Sequence, residues 1–105
     1  FGLNIITFNP GNTTHNTTYV CPNNDDCQII CKGNKVCKDK TFICPNNYNC
    51  DITCTPDKIG EGTTNRNACK NSKIVATYSN ALNIECRNFG CNGMIINMTY
   101  GNELD

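Results

Sequence analysis

Cys21 to Cys31 reads CPNNDDCQIIC and, 23 residues later, Cys44 to Cys54 reads CPNNYNCDITC. A cysteine frame copied at that interval belongs to a chain that winds one short unit repeatedly, because each unit is too small to bury an apolar face alone and must stack on the next. A third copy appears once cysteine is allowed to exchange with other apolar residues. ATYSNALNIEC aligns with CPNNYNCDITC, with Ala76 in place of Cys44, Leu82 in place of Cys50, and Cys86 matching Cys54. A partial fourth begins at Met98, where MTYGNELD matches ATYSNALN. At the other terminus Leu3-Asn4-Ile5-Ile6-Thr7 aligns with Leu82-Asn83-Ile84-Glu85-Cys86, which puts Ile5 in phase with Ile84. The copies start 23, 32 and 22 residues apart, and the long interval carries an insertion rich in Gly, Thr and Asn between Cys54 and Cys69. That insertion reads as a loop bulging from one unit.

Alternation within each copy gives strands. In Cys27-Gln28-Ile29-Ile30-Cys31, Cys50-Asp51-Ile52-Thr53-Cys54 and Leu82-Asn83-Ile84-Glu85-Cys86, the first, third and fifth residues are apolar or cysteine and face one side. Ile29, Ile52 and Ile84 are therefore expected to stack as an interior ladder joined by Ile5, with Gln28, Asp51, Asn83 and Asn4 facing out in a row of amides. A second strand enters through Tyr19-Val20-Cys21, Phe42-Ile43-Cys44, Ile74-Val75-Ala76 and Ile96-Asn97-Met98, with Tyr19, Phe42, Ile74 and Ile96 inward. Pro22 and Pro45, each followed by Asn-Asn, end that strand and turn the chain. No segment sustains a 3.6-residue period, so little helix is expected. The fold class is all-β: a small, disulfide-rich parallel β-helix of about four coils of about 23 residues. Residues 1–105 form one domain, with an entry coil over 1–20 and full coils over 21–43, 44–75 (with the insertion) and 76–97, and a partial coil over 98–105.

The third copy also bears on the disulfides. The positions of Cys44 and Cys50 become Ala76 and Leu82 together, while Cys86 and Cys91 both remain, and two cysteines lost as a unit are most simply bonded to each other. Applied to every copy, this gives Cys21–Cys27, Cys31–Cys37, Cys44–Cys50, Cys54–Cys69 and Cys86–Cys91, with none left over. The competing scheme bonds neighbouring coils, for example Cys27 to Cys50, and strands cysteines beside the third coil. Each intra-coil bridge closes a short loop, worth about 2 kcal/mol on the entropic account.

Ten cysteines in 105 residues point to a disulfide scaffold in an oxidising compartment, secreted or on the cell surface. Three sequons, headed by Asn12, Asn16 and Asn97, point the same way and make N-linked glycans the expected modification. Residue 1 is Phe with no charged, apolar leader before it, which is read as a signal peptide already removed. No run approaches the roughly 18 apolar residues of a spanning helix, so no membrane insertion is expected. Zero net charge gives no electrostatic case for nucleic acid. The basic cluster Lys32, Lys35, Lys38 and Lys40 reads as a solvated turn. No catalytic residue, metal site or cofactor is expected. The cysteines are all assigned to bridges, the single histidine, His15, sits in an Asn/Thr loop, and the zinc spacings are missing. Asp25, Asp26, Asp57 and Glu61 are explained by turns.

The pattern apolar-Cys-Pro-x4-Cys-x-Ile-x-Cys-x5-Cys resembles the cysteine-rich right-handed parallel β-helix repeats of protist cell surfaces and extracellular or flagellar hairs. The resemblance covers Cys21 to Cys91 and implies an extracellular architectural role rather than a chemistry. The terminal segments suggest how such a role would be met. A parallel stack exposes unpaired backbone at both ends, and natural ones cover those ends with polar caps. Here Phe1, Leu3, Ile5 and Phe8 make the first strand apolar, and Met98, Tyr100 and Leu104 do the same for the last segment. The expectation is a head-to-tail homopolymer, in which the N-terminal strand of one copy complements the last coil of another. The alternative is a monomeric secreted binding module, lectin-like, ice-binding or inhibitory, that presents one face. A polysaccharide hydrolase would need a groove of carboxylates that the sequence does not reveal.

Overall fold

The computed structural model describes residues 3–9, 17–55, 67–87, 89–98 and 103–104. They hold nine strands and, among the described residues, no helix. The strands are β1 (Leu3–Phe8), β2 (Thr18–Val20), β3 (Asp26–Lys32), β4 (Thr41–Ile43), β5 (Asn49–Thr55), β6 (Lys73–Val75), β7 (Ala81–Cys86), β8 (Ile95–Asn97) and β9 (Glu103–Leu104). Odd strands form one parallel sheet in the order β1-β3-β5-β7-β9, and even strands form another in the order β2-β4-β6-β8. From β1 to β8, successive strands alternate between the two sheets, so each pair of strands advances the chain by one layer.

The registers put equivalent residues of the copies directly above one another. Cys27, Cys50 and Leu82 share one position, Ile29, Ile52 and Ile84 the next, and Cys31, Cys54 and Cys86 a third. In the second sheet Tyr19, Phe42, Ile74 and Ile96 form the inward row. Ile29, Ile52, Phe42, Ile74 and Leu82 are completely buried between the sheets. Burying each is worth about 1.5–3 kcal/mol, so a narrow row of such residues is the main apolar term available to this fold. Cysteine fills the rest of the interior.

The N-terminal strand departs from the expected phase by one residue. Ile6, not Ile5, pairs with Ile29, and Asn4 pairs with Cys27. Because side chains alternate, that single step turns Asn4, Ile6 and Phe8 inward and leaves Leu3 and Ile5 outward, 49% and 58% exposed. The reason is Phe8. In the expected phase its ring would face solvent, whereas here it is 8% exposed, edge-on to Tyr19 at 6.2 Å between centroids and tilted against Phe42 at 6.0 Å. One phenyl ring seated in an aromatic cluster outweighs two aliphatic side chains on a half-solvated strand.

The turns between the sheets repeat as faithfully as the strands. Lys35, Asn67 and Phe89 have φ of 59°, 59° and 58°, and Asp39, Asn71 and Gly93 have φ of 60°, 56° and 74°, so the left-handed residues recur two before and two after Cys37, Cys69 and Cys91. Their backbones bond along the stack. Cys37 N–H donates to the Ala68 carbonyl and Cys69 N–H to the Gly90 carbonyl, both at 2.7 Å, while Asp39 donates to Lys70 and Asn71 to Asn92, both at 2.9 Å. Gly90 is buried where layers meet, and a Cβ there would stand 2.5 Å from the Cys54 carbonyl oxygen.

Two outcomes test this packing by chemical denaturation of the oxidised protein. Ile6→Ala should lose about 1–3 kcal/mol, whereas Ile5→Ser should stay within about 0.5 kcal/mol; the reverse order would return the first strand to the other phase. Gly90→Ala should cost about 1–3 kcal/mol through the clash with the Cys54 carbonyl, and an unchanged midpoint would contradict the close approach of the layers there.

Candidate assembly interface

Five bridges close corners and turns within the layers: Cys21–Cys27, Cys31–Cys37, Cys44–Cys50, Cys54–Cys69 and Cys86–Cys91. These are the intra-coil pairs, and no cysteine is free. The first and third close the corner between β2 and β3 and between β4 and β5; the others close the turn that follows an odd strand. Eight of the ten cysteines are buried, whereas Cys86 is exposed and Cys91 half-buried, because among the described residues no further layer covers that turn. The sulfurs of Cys31, Cys54 and Cys69 lie within 4.8 Å of one another. They already belong to two bridges, so bonding between neighbouring layers is sterically close but not used.

Both ends of the stack present open strand edges among the described residues. Among the described residues β1 and β2 pair along one edge only, with β3 and β4, and β8 pairs only with β6. β9 covers β7 over Ala81 and Leu82 alone, so among the described residues the β7 edge from Asn83 to Cys86 is open. Interior side chains show at both ends: Ile6, Tyr19 and Ile84 are half-buried, and Ile96 is 41% exposed. Of the residues expected at an assembly interface, Leu3 and Ile5 project from the sheet face, Phe8 points inside, and Met98 packs half-buried against the core. Leu104 pairs through its backbone with Leu82. Phe1 and Tyr100 lie outside the described residues.

Sequence reasoning missed Lys40, which is no solvated turn residue. It is 1% exposed, its Nζ donates to Thr17 Oγ1 at 2.6 Å and sits 4.6 Å from the centre of the Phe8 ring. The signal was in the repeat: Lys40 shares its inward register position with Ser72 and Met94 in the later copies. Burial pushes its ammonium below the usual lysine range.

The outer face of the odd-strand sheet is polar from β3 to β7 along its middle row, and Leu3 and Ile5 of β1 make its first edge apolar. Gln28, Asp51 and Asn83 form its middle row, as expected for those three. The amide bonds fall at the starts of the odd strands and the turns before them instead of along that row. Asn23 Oδ1 accepts from Asn46 N–H at 2.7 Å, and Asn80 Nδ2 donates to Asn49 Oδ1 at 2.7 Å. Asn4 Nδ2 donates to Asn24 Oδ1 at 2.9 Å. Burial and the nearby Glu85 carboxylate raise the Asp51 carboxyl above its ordinary range. A cleft of about 230 Å³ opens on this face between Leu3, Asp26, Gln28, Asn49 and Asp51. Of the sequons, Asn97 is an exposed residue of β8, while Asn12 and Asn16 lie outside the described residues, as do His15, Asp57, Glu61 and the core of the insertion. No helix of the described residues is long and apolar enough to cross a membrane.

Comparison with protein-family models, with curated proteins and with solved structures finds no match for this chain.

Lys40 supplies a pH test. The folded chain holds its proton less tightly than the unfolded one, so between the lowered pKa and the ordinary 10.5 the unfolded state binds more protons and stability rises with pH. A series of melting temperatures through that window should rise in the parent relative to Lys40→Met, in which the rise disappears. Parallel curves would place the ammonium in water.

Proposed function

We propose that the alternating strands form a parallel β-helix of about four coils, and that the protein is a structural subunit of a glycosylated extracellular filament assembled head to tail. The observation that carries this reading is a phase match at the open edges. In register terms Ile5 to Phe8 correspond to Asn83 to Cys86, the stretch of β7 that β9 leaves uncovered. Thr18 to Val20 correspond to Ile95 to Asn97 of β8. Laid on the far end of a second copy, β1 brings Ile6 over Ile84 and Phe8 over the exposed Cys86, while β2 brings Tyr19 over Ile96. Both sheets then continue with no change of register. Leu3 and Asn4 fall in the phase of Glu103 and Leu104, so the two segments meet end to end, with the first residues of the incoming strand displaced. The backbone amides supply affinity and the interior row supplies register, which is β-augmentation with the same chain as donor and acceptor. Such a contact is heterologous and, unless its rotation closes, it propagates. The disulfides support an extracellular setting.

The second reading is a monomeric secreted binding module, favoured by the cleft beside Leu3 on the polar sheet face. Electron microscopy of the non-reduced protein with helical averaging separates them. Fibres should show an axial rise of about 19 Å per subunit, four coils at about 4.8 Å each, and Ile6→Asp should abolish them while a monomeric fold persists by circular dichroism. Dispersed monomers at all concentrations would overturn the filament and direct the search to ligands of the cleft.

A further inference from the structure

The assembly reading leaves the outer face of the even-strand sheet without a partner among the described residues. Two rows of side chains cross it: Thr18, Thr41, Lys73 and Ile95 in one, Val20, Ile43, Val75 and Asn97 in the other. Val20 and Ile95 are 58% and 59% exposed, and Ile43 and Val75 are half-buried. A stripe of β-branched aliphatic side chains on a parallel sheet is the kind of surface that draws a second sheet onto it. The same row ends on Asn97, the acceptor position of Asn97-Met98-Thr99, exposed in β8 and paired in register with Val75.

We propose that an N-linked glycan on Asn97 lies back across Val75, Ile43 and Val20 and is the cover of this sheet face. The proposal rests on the glycosylated extracellular setting of the reading above and deepens it. Strands in a sheet are about 4.8 Å apart, so Val20 is roughly 14 Å from Asn97 along the row, within the span of a few linked pyranose rings. The C–H faces of those rings suit the aliphatic stripe. Their edge hydroxyls meet the Thr18 and Thr41 hydroxyls and the Lys73 ammonium in the parallel row. On the other side of Asn97 is the β8 edge, open among the described residues, and a glycan running back over its own sheet leaves that edge clear. Lateral association is then blocked while axial pairing stays open, which keeps an assembly one subunit thick.

The test uses the full chain made in an N-glycosylating eukaryotic host, compared with Asn97→Gln and with Asn16→Gln as a control. Expected are a glycan on the Asn97 peptide by mass spectrometry, nuclear Overhauser contacts from sugar C–H groups to the Val75 and Ile43 methyls, and a several-fold rise in anilinonaphthalene-sulfonate fluorescence for Asn97→Gln only. An unmodified Asn97, or a modified one with neither methyl contacts nor a change in dye binding, overturns the proposal. Failure of the filament reading looks different: subunits stay dispersed by microscopy while the sugar-to-methyl contacts remain.

Discussion

In-register parallel pairing is the interaction on which everything else in this structure depends. Each strand bonds to its counterpart one layer away, and the turns do the same through Cys37, Asp39, Cys69 and Asn71. A residue's neighbours above and below are therefore its own equivalents in the repeat, and a position that is apolar in each copy becomes a continuous interior row. That explains why so thin a core suffices: Ile29, Ile52, Phe42, Ile74 and Leu82 are each completely buried although no layer holds more than a few such residues. The bridges close the corners of each layer rather than linking layers, so they limit how far a layer can open in the unfolded chain and leave the stacking itself to hydrogen bonds and side-chain rows.

The same interaction has no natural stopping point. A parallel layer offers its far edge to another layer with the pattern it used for the last one, and the edges of β1, β2, β7 and β8 are open among the described residues. Closed globular folds end this by wrapping the edge away; here the rows at the two ends are in the phase that continues them. The side faces are governed differently, since growth there needs apolar contact between sheets instead of backbone pairing. On one sheet the middle row is polar from Gln28 through Asp51 to Asn83, with Ile5 exposed at its start, and on the other the sequon residue Asn97 sits at the end of the aliphatic row.

Local patterning was a good guide wherever the repeat is strict. The loss of Cys44 and Cys50 equivalents as a pair, at Ala76 and Leu82, carried enough information to choose among disulfide schemes, and the structure joins the same pairs. The inward rows of β4 to β8 were equally legible, because alternation and period agree there. Two residues were not. Lys40 looks like one of four surface lysines until its register partners Ser72 and Met94 are considered, and its stem and ammonium are accommodated only because Phe8 and Thr17 come from a different layer. Likewise Gly90 carries no local mark of the carbonyl pressed against it from the layer below.

Sequence alone thus determined the all-β class, the layer-by-layer repeat and the interior rows through Cys27, Ile29 and Cys31 and through Tyr19 and Phe42, since each follows from alternation and from copies that constrain one another, while the row through Lys40 was not read from it. The phase of the first strand was decided only in three dimensions. Leu3-Asn4-Ile5-Ile6-Thr7-Phe8 has apolar residues on both of its faces, so no period within it selects one, and a register slip of one residue is invisible to local pattern. What selects it is the aromatic site that Tyr19 and Phe42 build between the sheets, into which Phe8 fits and Leu3 and Ile5 do not reach.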